Sequence, residues 1–126
     1  MAKTKGQVEA EISDAIVKFE LDYMGRGPEE ARTYIVEDLV IVRLRGVLTP
    51  AERQLGGADG TPQGRTLVKE IRRELIEKAR PLLETIIKDV TGQEVRSLHT
   101  DISTIIGERI IVFSLAGPVR LSAGNH

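Results

Sequence analysis

The chain of 126 residues has no cysteine and no tryptophan, and aromatic residues make up only 3% of it. Without a thiol it can form no disulfide, no thiolate nucleophile and no cysteine-ligated zinc site. An excess of one charge sign is also missing. Eighteen Lys and Arg stand against nineteen Asp and Glu, for a formal net charge of −1. Binding to nucleic acid needs a clustered basic excess, so no nucleic-acid partner is expected. No apolar run approaches the roughly 20 residues of a membrane-spanning helix. The start, Met1 to Glu9, has no apolar signal region. These absences predict a soluble cytoplasmic protein with no direct membrane insertion, whose membrane role, if it has one, runs through a partner. Asparagine occurs once, and the abundance of Glu and Arg resembles thermophile composition.

The 40% of hydrophobic residues is enough for one core, and the length suits one domain. The expected single domain spans residues 5–116, followed by a flexible C-terminal tail at 117–126. Over residues 5 to 24, Val8, Ile12, Ala15, Ile16, Phe19 and Tyr23 recur at helical spacing. Gly25 and Pro28 then stop that helix. From Ala31 the period changes to two. Thr33–Val36 and Leu39–Leu44 read as strands, and only Glu37-Asp38 separates them, as in a tight hairpin. Thr49-Pro50-Ala51-Glu52 has the form of a capped helix start, with Thr49 as cap, Pro50 at the first position and Glu52 completing a capping box. Gly56 to Gly64 has the composition of a flexible connector.

Residues 65 to 91 carry a second, longer helical pattern whose apolar stripe is read as Leu67, Val68, Ile71, Leu75, Ala79, Leu82, Leu83, Ile86, Ile87 and Val90. Pro81 lies inside it and is expected to bend or divide it. The charged stretch from Glu70 to Lys78, with Arg72 and Arg73, is read as a solvated surface. Two more strands, Glu94–Ser103 and Arg109–Leu115, complete the pattern. The expected fold is α+β: an α-β-β-α-β-β two-layer sandwich with a four-stranded, mainly antiparallel sheet and two helices on one face. If Val40, Val42 and Leu44 face the helices, Ile41, Arg43 and Arg45 lie on the other side. A face so mixed is one that a symmetric partner would cover, so a homodimer is expected.

No catalytic residue, cofactor or metal site is expected. Gly60 to Thr66 superficially resembles a phosphate-binding loop, but the spacing is one short and arginine stands where lysine belongs. Ser97, His99 and Asp101 share one strand face, and a histidine beside a carboxylate is a candidate base or pH-sensing pair. The plainer reading is an exposed or interface histidine. The other histidine, His126, is terminal, which leaves only a carboxylate metal site open. Arg43, Arg45 and Arg96 would form an anion-binding patch with His99 and Asp101 if the hairpins pair suitably. Glu37, Asp38 and Asp101 would equally neutralise them across the sheet. The five residues Arg43, Arg45, Arg96, His99 and Asp101 are the candidate ligand-binding set.

Three segments together resemble a bacterial family called MpsC-like or YbcI-like. They are Tyr34–Val42, Gly46–Glu52, and His99–Ser103 followed by Gly107-Glu108-Arg109. The resemblance covers roughly residues 5 to 115, and the Gly56–Gly64 connector looks longer or looser than the family pattern. It implies a non-catalytic accessory or regulatory interaction protein, serving an inorganic-carbon (bicarbonate) or cation uptake membrane system through a membrane transport subunit. The alternative is a small anion- or nucleotide-binding sensor domain.

Overall fold

A computed structural model describes residues 3 to 122. Helix α1 (Lys5–Met24) is followed by strands β1 (Glu30–Val36) and β2 (Leu39–Arg45), the short helix α2 (Pro50–Gly56), the long helix α3 (Pro62–Thr91), and strands β3 (Val95–Ser103) and β4 (Glu108–Leu115). The expected α+β architecture is present. The four strands form one antiparallel sheet in the order β1-β2-β4-β3, so the two hairpins meet along β2 and β4, and β1 and β3 are edges.

Local chemistry explains the element ends. Thr4 caps α1 in a capping box with Gln7, and Gly25 closes it in the left-handed region at φ 79°. Val36 pairs directly with Leu39, so Glu37-Asp38 is a two-residue hairpin turn. Glu37 takes it at φ 57°, a conformation unusual for a residue with a side chain. Thr49 and Glu52 form the expected capping box at the start of α2, with Pro50 at the first position.

Pairing across the sheet sorts its residues into two faces. Ile35, Val40, Phe113 and Leu98 form one row of the inner face, and Thr33, Val42, Ile111 and Thr100 the next. Helices α1 and α3 cover this face. Ile12, Ile16, Leu83 and Ile87 join Val42, Leu44, Ile111 and Phe113 in one fully buried core. Burying such side chains stabilises the fold by about 1.5–3 kcal/mol each.

Several details depart from the sequence reading. Helix α3 is undivided at Pro81. The ring sits on the exposed side, where water can take the Glu77 carbonyl that proline leaves without a donor. The buried stripe of α3 is Val68, Arg72, Ile76, Ala79, Leu83 and Ile87, while Leu67 and Ile71 are about half exposed. The connector is a close crossing. A Cβ on Gly64 would collide with the Leu55 carbonyl, and one on Gly56 would press on the Arg65 and Gly64 backbone. Of the tail, Val119 is buried and the Ser122 N–H donates to the Lys3 carbonyl at 2.9 Å. Residues 123–126, including His126, lie outside the described residues.

Candidate functional site

The five ligand-binding candidates do not form one patch. Arg43 and Arg45 lie on the outer sheet face, as the alternation requires. Arg43 Nε donates to Glu108 Oε2 at 2.8 Å, and Arg45 reaches Glu30 at 3.2 Å and Glu108 at 3.7 Å. Arg32 bonds the same Glu30 at 3.1 Å. Three arginines and two glutamates thus alternate across β1, β2 and β4. The neutralising carboxylates are Glu30 and Glu108, not Glu37, Asp38 and Asp101, because register sets Arg45 opposite both. Arg96 sits at a register shift between Val95 and Ser97, exposed on edge strand β3. No hydrogen bond or ion pair among the described residues ties it to the other four.

His99 and Asp101 share the outer face of β3 but do not pair. His99 Nε2 meets Ser97 Oγ at 3.2 Å. Asp101 accepts the Ile102 N–H at 2.8 Å and stands 3.5 Å from Lys69 Nζ. The backbone hydrogen bond holds the Asp101 carboxyl below its usual range, with help from Lys69 that outweighs the modest burial. Nothing in this geometry lets Asp101 orient His99 as a base.

The centre of the outer face is apolar. Tyr34, Ile41 and Val112 form one cross-strand row that ends at His99, with Val36 and Leu39 on one side and Ile110 on the other. Tyr34 is 44% and Val36 50% exposed. No helix among the described residues covers this face, since α1 and α3 lie on the opposite one.

The most unusual chemistry is inside. Arg72, read from sequence as a surface residue, is 1% exposed. Its Nε and one terminal nitrogen bond both oxygens of Glu52 at 2.8 and 2.6 Å, and the same nitrogen donates to the Val47 carbonyl at 2.8 Å. Glu20 of α1 is wholly buried, 3.6 Å from Arg72, which is too long for a hydrogen bond. Both its oxygens lack a partner. Burial pushes the Glu20 carboxyl above its ordinary range despite Arg109 and Arg72 nearby. Burial pushes Glu52 in the same direction, but hydrogen bonds from Arg72 and the Thr49 backbone outweigh it and hold that carboxyl low.

Arg109 of β4 is 2% exposed. It donates to Thr100 Oγ1 at 2.9 Å, while its Nε has no partner. Burial draws its guanidinium below the usual value. Sequence reasoning missed Glu20 and Arg72. One signal was available: Val68, Arg72 and Ile76 are spaced four apart on one helix line.

A family model described as the Na+-translocating membrane potential-generating system (MpsC) matches residues 4–117. The chain belongs to the MpsC family. It is 44% identical over 115 residues to YbcI of Bacillus subtilis (strain 168), itself described as uncharacterized, in a match covering 91% of this chain and 90% of YbcI. YrhF of the same organism, also described as uncharacterized, is 34% identical over 67 residues, covering 53% of this chain and 52% of YrhF. No solved structure matches.

In this MpsC-family chain the three family-like segments have a common destination. Tyr34–Val42 is the first hairpin with its exposed apolar row. Gly46–Glu52 caps α2 and delivers Glu52 and the Val47 carbonyl to Arg72. His99–Ser103 and Gly107–Arg109 flank the turn of the second hairpin, which joins Thr100 to Arg109. No helix among the described residues is long and apolar enough to cross a membrane.

Proposed function

We propose that this protein is a non-catalytic accessory subunit that pairs with a second copy of itself through the open sheet face. In this reading it serves a membrane system that moves sodium ions or inorganic carbon, docked from the cytoplasmic side. The uncovered row of Tyr34, Ile41 and Val112, continued by Val36, Leu39 and Ile110, carries the proposal. An apolar patch edged by charge is characteristic of a protein contact. The rim bears arginine and glutamate side by side, so a two-fold contact can set unlike charges opposite each other. The name of the family supports the membrane system. The separate engagements of His99 and Asp101 favour a binding role over acid–base chemistry.

Light scattering on the purified chain is expected to give twice the chain mass, and Ile41→Asp to give the single mass with unchanged circular dichroism. In cells lacking the gene, a potential-sensitive dye should report a weaker membrane potential, restored by the wild-type chain and not by Ile41→Asp. A monomeric wild type would remove the pairing. An unaltered potential would remove the accessory role.

A further inference from the structure

Helix α3 and edge strand β3 enclose a groove at the sheet edge, which His99 and Asp101 of the outer face also line. Lys69, Arg73, Glu77 and Arg80 follow one line of α3 at spacings of four, four and three, and together they form one wall of a cavity of about 340 Å³. Residues Leu98 to Ile102 of β3 form the other wall, and Arg109 contributes from β4.

The charges in this groove do not balance. Lys69, Arg73, Arg80 and Arg109 bring four cations against the carboxylates of Glu77 and Asp101, and His99 adds a titratable ring. The excess is therefore two positive charges with His99 neutral. The existing pairs are weak. Lys69 stands 3.5 Å from Asp101 and Arg80 stands 3.6 Å from Glu77. Arg73 makes no ion pair or side-chain hydrogen bond among the described residues. Arg80 spends one terminal nitrogen on the Leu98 carbonyl at 3.3 Å, leaving its Nε buried without a partner.

Arg109 makes the groove more than a solvated charge cluster. It is 2% exposed, and its described contacts are one hydrogen bond to Thr100 and no carboxylate within 4.0 Å. Its Nε is buried and unpartnered, like that of Arg80. A buried guanidinium is costly unless an anion or several acceptors complete it. Arg109 lines this one small cavity from the sheet, and Arg80, whose side chain is partly exposed but whose Nε is buried, lines it from the helix. Planar guanidinium forks suit the paired oxygens of phosphate and carboxylate. An excess of two charges suits a dianion.

We propose that the α3–β3 groove is a binding site for a small dianionic oxyanion of the phosphate class, held by Arg73, Arg80 and Arg109 with Lys69 at the mouth. It does not depend on self-association, because Arg73 and Arg80 lie on α3, on the far side of the sheet from the open face.

Titration calorimetry with inorganic phosphate, at ionic strength held constant with sodium chloride, tests the site. Phenyl phosphate in a parallel titration separates a free anion from the head of an ester. One phosphate should bind per chain. Arg73→Gln and Arg80→Gln should each weaken binding by about tenfold or more, as loss of a charge-assisted bidentate contact does. Arg73→Lys should retain part of the affinity, and Arg43→Gln on the open face all of it. Both glutamine variants replace partly or fully exposed side chains, and an unchanged thermal midpoint without phosphate will confirm that they fold. Absence of heat with both phosphates would overturn the proposal. So would equal losses in Arg43→Gln and Arg73→Gln, which would indicate unspecific charge attraction.

Discussion

Arg72 is the side chain on which the interior turns. Its guanidinium ties α3 to the start of α2 through Glu52 and Val47, and it is the nearest cation to Glu20 of α1. Removing one member of such a buried set costs about 3–5 kcal/mol, because the charge left behind has no water to turn to. Glu20 gives the set a measurable dependence on pH. Its folded value is raised above the ordinary 4.5, so the folded chain holds that proton more tightly than the unfolded one. The resulting stability is complete below 4.5 and is lost as pH rises through the raised value. Glu52 acts in the opposite sense. Its lowered carboxyl stabilises the fold above 4.5, and that contribution is lost as pH falls through the depressed value. Urea midpoints measured upward from pH 4.5 should therefore decline in the wild type and decline less in Glu20→Gln, which has no proton to lose. Equal slopes in the two proteins would show that Glu20 is not responsible.

Among the elements, the crossing of α2 and α3 is the tightest. Gly56 and Gly64 are there because the two backbones meet with no room for a Cβ. Overpacking of this kind costs about 1–3 kcal/mol. Gly64→Ala should lower the unfolding free energy by that amount in urea titrations. A loss below a few tenths would mean that the crossing relaxes easily. The same elements show what was legible along the chain. Thr49, Pro50 and Glu52 stand within one turn of each other, and their capping chemistry is local enough to be read directly. Both hairpins announce themselves through period-two patterning around short turns. The α3 stripe is not legible in this way, because Leu67 and Ile71 look like core residues and Arg72 looks like surface. Packing against Glu52 and Val47, distant in sequence, buries Arg72, while Leu67 and Ile71 stay about half exposed.

On the scale of the molecule, helices fill one face of the sheet, and none among the described residues covers the other. If two chains share that second face, mass action makes the fold more stable as protein concentration rises. The thermal midpoint of the wild type should increase on concentration, and that of Ile41→Asp should not. A midpoint independent of concentration in both would leave the chain a monomer with a solvated sheet.

Element order, both hairpins, the caps and the placement of Arg43 and Arg45 away from the helices are written along the chain. Those follow from the period of side chains along one segment and from the backbone needs of threonine, proline and glycine near its ends. Long-range packing was needed to lay β2 beside β4 and to bring Glu30 and Glu108 onto the outer arginines. It alone set His99 apart from Arg43 and Arg45, and brought Glu20, Glu52, Arg72 and Arg109 together inside. Partners far apart in the chain are chosen by which surfaces can be buried together, and no local pattern records that choice.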